Sequence, residues 1–311
     1  MHAELVVPGL LPGAATKRFP ALEMLLARGR INRTPAMKIE EWLQRAFELE
    51  ALAAGALTLL GCGRDPGEAN WARADPVHLR LMREHVIVVP AEALELSREE
   101  TDALCEALNR HFPDLQLTAC EPRYWCAQVT EGAFAGGASA LESAGTPAAL
   151  PHEAAGLVNE IQMLLHAHPV NEAREARGDP TVNSLWLWGA GRAPRTARTP
   201  WQSVAADDPV ALGAARLAGA RHRPLARSAD EWLGRLPDEG RHLGLLDMRG
   251  SQDVSVLEQT WFAPLLAALR SGRIGMLTIH IPDAAEAVSC ETIRGDLRRF
   301  WRRAKPIEHY A

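Results

Sequence analysis

The stretch from His166 to Gly191, HAHPVNEAREARGDPTVNSLWLWGAG, limits the possible folds of this chain more than any other. A polar, charge-rich segment carrying Asn171, Arg174 and Glu175 passes directly into the apolar run Leu185-Trp186-Leu187-Trp188, which Gly189 and Gly191 close. A short apolar run ended by glycines reads as a strand buried on both faces, as in a parallel sheet. Glycines at its end let backbone turn sharply or come close to a ligand, and ligands of open α/β sheets sit at the carboxyl ends of strands. Asn171, Arg174, Asn183, Gly189 and Gly191 then border a crevice. Gly189-Ala190-Gly191 is not a dinucleotide fingerprint, because Pro194 follows where a third glycine and a continuing helix are needed. The tryptophans of the run read as core residues.

Strand and helix patterns alternate around this segment. Glu4 to Val7 reads as a first strand stopped by Pro8-Gly9, followed by a helix from Pro20 to Gly29 with Leu22, Leu25 and Leu26 on one face. A second helix, Lys38 to Leu49, places Ile39, Trp42, Leu43, Ala46 and Phe47 together, and the apolar run Ala51–Leu60 comes next. Val77–Leu81 and His85–Val89 read as strands, Ser97 and Glu100 as a capping box opening a helix, and Leu115 to Val129 as two more strands. A Gly-, Ala- and Ser-rich loop over 131–150 leads to a helix from His152 to His168. Beyond the tryptophan run the expected elements are a loop through Pro194 and Pro200, a helix Asp208–Ala218, a strand Leu243–Leu246, a helix Leu257–Leu269, a strand Ile274–Ile281 and a final helix Cys290–Arg303.

A chain of 311 residues accommodates two domains, or one large α/β domain with an insertion. The formal charge of −5 offers no electrostatic footprint for nucleic acid or an anionic membrane. The apolar N-terminal run is too short and too broken by glycine and proline to span a bilayer, so the expectation is a cytoplasmic protein. The cysteines Cys62, Cys105, Cys120, Cys126 and Cys290 are odd in number and contain no CxxC pair, which argues for reduced, buried thiols rather than a disulfide framework or a thiolate zinc site. His166 and His168 stand two apart, so on a helix they point to different faces and belong to a helix end rather than to a metal.

The run His168-Pro169-Val170-Asn171, then Arg174, Gly178, Asn183 and Gly189-Ala190-Gly191, resembles a segment of the archaeal-type cofactor-independent phosphoglycerate mutases, which belong to the alkaline phosphatase superfamily. The phrase FPALEMLLARG resembles the helix that follows their first strand. HPVN, NSLWLWG and ADPVHLR together look most like a proteobacterial group of RpfE-type regulatory, phosphoglycerate mutase-like proteins. The resemblance implies an α/β fold in which an alkaline phosphatase-like core sheet, flanked by helices, is formed by residues 1–74 and 181–311. A smaller α+β domain is inserted over residues 75–180.

It also implies chemistry that depends on two divalent metals, usually manganese, and on a serine nucleophile. Two metals clamp the attacking and leaving oxygens of an in-line displacement. The ligands expected from the resemblance are largely missing. Val7-Pro8-Gly9 stands where the first strand should end in Asp-Gly. No serine precedes Ser97, and Thr34, the nearby hydroxyl, reads as a helix cap before Pro35. The DxxGHxxD motif has become Asp247-Met248-Arg249-Gly250-Ser251-Gln252-Asp253, which leaves Asp247 and Asp253 as metal-ligand remnants, and the strand ending at Ile281 is followed by Pro282-Asp283 rather than by an Asp-His pair.

The expectation is a catalytically degenerate phosphoglycerate mutase-like protein without cofactors, acting as a binding or regulatory protein. In it Arg174, with Asn171, Asn183, Gly189 and Gly191, retains a crevice for a small phosphorylated or carboxylated metabolite. Arg221 and Arg223 are further candidates to meet an anion; the structural alternative for Arg174 is a salt bridge to Glu172, Glu175 or Asp179. A protein partner is the other kind of partner expected, with neither nucleic acid nor membrane. The competing expectation is a metal-dependent mutase or phosphatase with rearranged ligands, using Thr34 and Asp247 and two metals such as manganese.

Overall fold

The computed structural model describes residues 1–10, 18–82, 85–134, 136–145, 147–148, 155–249 and 256–310. In chain order the strands and α-helices are β1 (His2–Val6), α1 (Pro20–Arg28), β2 (Arg30–Met37), α2 (Ile39–Ala46), α3 (Ala54–Gly61), β3 (Trp71–Leu81), β4 (Val86–Val89), α4 (Arg98–His111), β5 (Thr118–Glu121), β6 (Tyr124–Gln128) and the short β7 (Pro147–Ala148). They continue as α5 (Ala155–His166), α6 (Pro169–Arg177), β8 (Ser184–Gly191), β9 (Ser203–Ala206), α7 (Pro209–Leu217), β10 (Arg221–Arg223), α8 (Ala229–Gly234), β11 (Arg241–Leu245), α9 (Ala263–Ser271), β12 (Met276–Ile281) and β13 (Asp283–Ile293). The chain divides into two compact units, 1–50 with 196–311, and 51–195. Among the described residues no helix is long and apolar enough to cross a membrane.

The larger unit is built on a seven-stranded sheet of order β10-β9-β11-β1-β12-β13-β2. From β10 to β12 the strands are parallel, and β13 runs antiparallel to both its neighbours. Strand alternation divides the work of β1. Ala3, Leu5 and Val7 enter a core with Leu22 and Leu25 of α1, Leu265 and Leu269 of α9, and Leu277 and Ile279 of β12. His2 and Glu4 point to the other face. The expected final helix from Cys290 is instead the second half of β13, where Val288, Cys290 and Thr292 are buried at every second position. That period is a strand's, and sheet partners on both sides fix it. Residues 30–37 form the edge strand β2, so Thr34 lies mid-strand opposite Ala287 and caps nothing. Strands β9 and β10 fall in and beyond the stretch read as loop.

The smaller unit holds an antiparallel sheet, β5-β6-β3-β4-β7, with β8 paired to β3. The tryptophan run is therefore no parallel strand: Leu187 lies opposite Ala74, and Ser184 opposite Val77, in antiparallel register. Burial of Leu185, Trp186 and Trp188 fits either kind of sheet once helices cover it, and Leu185 packs with Ile161 and Leu165 of α5. Residues 169–177, the polar, charge-rich segment, are helix α6: Pro169 sits in the first turn, where its missing N–H costs nothing, and the His168 ring accepts from Val170 N at 3.2 Å. Ser97 and Glu100 form the expected capping box on α4. The unit boundaries also differ from 74/75 and 180/181. Helix α3 packs so tightly on β3 that a Cβ on Gly55 would come within 2.4 Å of Trp71 O, which ties residues 51–74 to this sheet.

Candidate functional site

Glu4, in the central strand of the larger unit, is 2% exposed. A carboxylate so placed must be paired. Arg241, on the neighbouring β11, donates from Nε to Oε1 at 2.8 Å, and His280 of β12 places Nε2 3.3 Å from Oε2. The His2 ring stands 3.6 Å from Glu4 and 2.8 Å from Thr278 Oγ1. Burial works to raise the Glu4 pKa, but hydrogen bonds from His280 and Arg241 and the charges of His2 and Arg241 outweigh it and bring the pKa down to about 2. Burial lowers the His2 pKa.

Beside this hub lies a cavity of about 390 Å³ with Glu4, Arg241, His280, Thr34, Trp42 and Trp201 in its lining. The Trp42 and Trp201 rings stack with centroids 5.7 Å apart, and Trp42 lies 5.4 Å from the His280 ring. Trp201 Nε1 is buried with no hydrogen-bond partner. The cavity has the size of a small-molecule site, aromatic on one side with a few polar groups on the other.

A second polar cluster lies beyond the carboxyl ends of β1 and β11. Leu246 N donates to Val6 O at 2.8 Å and Met248 N to Pro8 O at 2.9 Å, so the two chains stay paired past their strands. Gly9 has φ +77°, and a Cβ there would lie 2.7 Å from Arg249 N; only glycine fits both demands. Arg249 grips Asp247 with a fork, Nε to Oδ1 at 3.0 Å and Nη2 to Oδ2 at 2.6 Å, while Nη1 donates to Glu40 Oε1 at 2.8 Å. Burial opposes the guanidinium charge, yet Glu40 and Asp247 more than offset this and raise the Arg249 pKa.

The residues expected around a crevice all lie within the smaller unit, where Arg174 lines a cavity of about 470 Å³ with Glu100, Arg177 and Asp179. Arg174 is 2% exposed. Its Nε donates to Pro180 O at 2.9 Å, Nη1 to Glu100 at 2.9 Å, and Nη2 to Leu94 O. The expected ion-pair partners Glu172, Glu175 and Asp179 give way to Glu100, which also accepts from Arg177. Asn171 donates to Leu165 O at 2.8 Å and Val182 O at 2.7 Å and accepts from Val182 N at 3.0 Å. Asn183 accepts from Leu79 N at 2.7 Å and donates to Leu79 O at 3.0 Å, as a strand backbone would. Gly189, at φ +59°, and Gly191 admit α3: added Cβ atoms would lie 2.7 Å from Ala54 Cβ and 3.0 Å from Ala53 Cβ. These glycines make room for α3.

No family model matches the chain. A 41-residue stretch is 46% identical to a probable 2,3-bisphosphoglycerate-independent phosphoglycerate mutase of Geobacter sulfurreducens, and the match spans 13% of this chain and 10% of that relative's length. Among solved structures, the cofactor-independent phosphoglycerate mutase of Thermoplasma acidophilum superposes over 99% of this chain and 93% of its own, with TM-score 0.51 at 15% identity. A Pyrococcus horikoshii protein superposes over 94% and 87% with TM-score 0.56 at 14% identity. The fold is that of the cofactor-independent phosphoglycerate mutases, of alkaline phosphatase type.

Among the described residues, those at the carboxyl ends of β1 and β11 do not fit a pair of metals. Val7 and Pro8 offer no ligand at the end of β1, and the Asp247 carboxylate is gripped by Arg249. Among the described residues no group of three or more His, Cys, Asp or Glu could hold a metal ion. Gly250, Ser251 and Asp253 lie outside the described residues. Thr34 Oγ1 points to Ala287 O at 3.5 Å and lines the cavity. Arg221 is exposed and Arg223 half-buried on the edge strand β10. Sequence reasoning missed Glu4, Arg241 and His280 as a group, although a glutamate inside AELVV is a signal in itself, since a carboxylate within a central strand demands partners. Trp42 was legible only as part of an inward helix face.

Proposed function

We propose that this chain is a catalytically degenerate protein of the phosphoglycerate mutase fold that serves as a binding or regulatory protein without cofactors. The observation that carries this reading is the Arg249 fork on Asp247. A carboxylate otherwise suited to a metal cation is neutralised by the protein's own cation, so the electrostatic stabilisation of phosphoryl transfer that two metals would supply has no foundation here.

The cavity beside Glu4 takes over as the ligand site. Arg241 offers a charge-assisted hydrogen bond to a carboxylate or phosphate, the His280 ring lines the same cavity, the unpaired Trp201 N–H offers a further donor, and the stacked tryptophans cover an apolar body. A small carboxylated or phosphorylated metabolite matches these groups. The test has two arms. With manganese added, the purified protein should not interconvert 2- and 3-phosphoglycerate above a blank; turnover there would favour the competing reading, a mutase with rearranged ligands. A screen of phosphorylated and carboxylated three- to six-carbon acids, read by melting temperature and tryptophan fluorescence, should yield a ligand whose binding is lost in Trp42→Ala. A ligand unaffected by Trp42→Ala would place the site elsewhere.

A further inference from the structure

Beyond β13 the chain returns along the carboxyl end of α1. Two short 3₁₀ turns, Arg294–Arg298 and Ile307–Tyr310, frame this return, and Ile307 and Tyr310 fasten it by entering the core of the larger unit. The last carbonyls of a helix lack intrahelical partners, and arginines supply donors here. Arg299 Nη1 donates to Arg28 O at 3.0 Å and Arg302 Nη1 to Gly29 O at 3.0 Å, while Arg28 Nη1 donates to Leu297 O at 2.6 Å. Arg299 also pairs with Asp296 at 2.8 Å.

Other cations of the same stretch have no such counterpart. Between this tail and α1 lies a cavity of about 660 Å³ lined by Arg30, Arg302, Arg303, Lys305, Trp301 and Tyr310 among others, with no Asp or Glu in its described lining. Arg30, Arg303 and Lys305 have no carboxylate partner among the described residues; Lys305 Nζ donates instead to His309 Nε2 at 2.7 Å. The concentration is local, since the whole chain carries a formal charge of −5. Like charges gathered without counter-charges repel one another, and a bound anion relieves this. Beside the cations, Trp301 is 66% exposed, with Phe300 edge-on against it at a centroid distance of 5.3 Å.

We propose that this cavity binds a nucleotide carrying two or more phosphates. It is a separate site from the cavity beside Glu4, with which it shares no lining residue. A single phosphate brings about −1.5 to −2 charges, so the four cations Arg30, Arg302, Arg303 and Lys305 are matched by at least two phosphates. Arginine forks suit phosphate oxygens, and the open Trp301 ring gives a base a face to stack on. The volume lies in the range of small-molecule sites, roughly 300–1,000 Å³.

The test is calorimetric titration of the full chain with ADP, AMP, adenosine and pyrophosphate in the absence of added metal. ADP should bind most tightly, AMP and pyrophosphate less so and adenosine least, and added salt should weaken ADP binding. Arg303→Ala and Trp301→Ala should each weaken ADP about tenfold. Both side chains are exposed, so each variant should keep the wild-type melting temperature, and Trp42→Ala should keep the wild-type ADP affinity. Absence of saturable ADP binding at millimolar concentration would overturn the proposal, as would an ADP affinity unmoved by both Arg303→Ala and Trp301→Ala or lost in Trp42→Ala. Pyrophosphate binding as tightly as ADP, with Trp301→Ala silent, would equally overturn it, because the site would then read charge alone.

Discussion

Two arginines, the buried Arg174 in the smaller unit and the half-buried Arg249 in the larger, both have several of their donors engaged, yet their partners differ in kind. Arg174 spends two of its contacts on backbone carbonyls, Leu94 O and Pro180 O, and one on Glu100 at the start of α4. Those partners are connection points of the chain, and the guanidinium ties three of them together. Arg249 spends its contacts on two carboxylates gathered at the carboxyl edge of a parallel sheet, the location where such folds bind ligands. An arginine that binds carbonyls fastens chain segments; one that binds clustered acids stands, on the function proposed above, where a cation would. Partner chemistry is what tells the two apart.

The largest effect is expected from Arg174→Ala, which takes the donors away from Leu94 O, Pro180 O and part of Glu100. Breaking one side of a buried charged network costs about 3–5 kcal/mol, so denaturant unfolding should move to a clearly lower midpoint. A change under about 1 kcal/mol would mean that the fastening is dispensable. Added manganese should not restore this variant.

Arg249→Met should cost somewhat less, about 2–4 kcal/mol, because Asp247 and Glu40 can recruit water or a proton. Here the comparison predicts opposite behaviour: millimolar manganese should raise the melting temperature of Arg249→Met well beyond any change in the wild type. Equal responses in the two proteins would remove the distinction between a fastening arginine and a cation-site arginine.

Glu4 provides a smaller effect, visible in pH. Its folded pKa, about 2, lies below the unfolded value, so its contribution is fully present above about pH 4.5 and is lost as pH falls from there through about 2; by linkage it is worth up to about 3 kcal/mol. Glu4→Gln should flatten the stability profile in that window and leave the slope above pH 5 unchanged. An unchanged acid limb would mean that Glu4 is not kept ionised by the hydrogen bonds from Arg241 and His280.

Much of the fold was legible because long periodic elements declare themselves: the first strand, the helix from Pro20, the capped helix after Ser97 and the paired strands before Val129 all lie where the pattern placed them. Misreadings came where tertiary contacts decide. Strand β2, RINRTPAM, is polar and contains Pro35, features tolerated only because it is an edge strand. Strand β8 is apolar on both faces because α3 and α5 cover it, which composition cannot distinguish from burial in a parallel sheet. Helix α6 starts on His168, a residue seldom chosen as a cap. The motif HPVN with Arg174 and Asn183 marked the fold correctly through architecture, since its side chains bond to backbone. The Arg249 cluster was out of reach, for Glu40 comes from 209 residues away, and no local pattern links them.

The most direct measurement is metal content and metal titration of the purified wild-type chain alongside Arg249→Met. The built-in guanidinium predicts substoichiometric transition metal in the wild type, no calorimetric signal for manganese in the micromolar range, and a new binding isotherm once Arg249 is replaced. Two tightly bound transition metals per wild-type chain would contradict this account and return the protein to the class of metal-dependent enzymes.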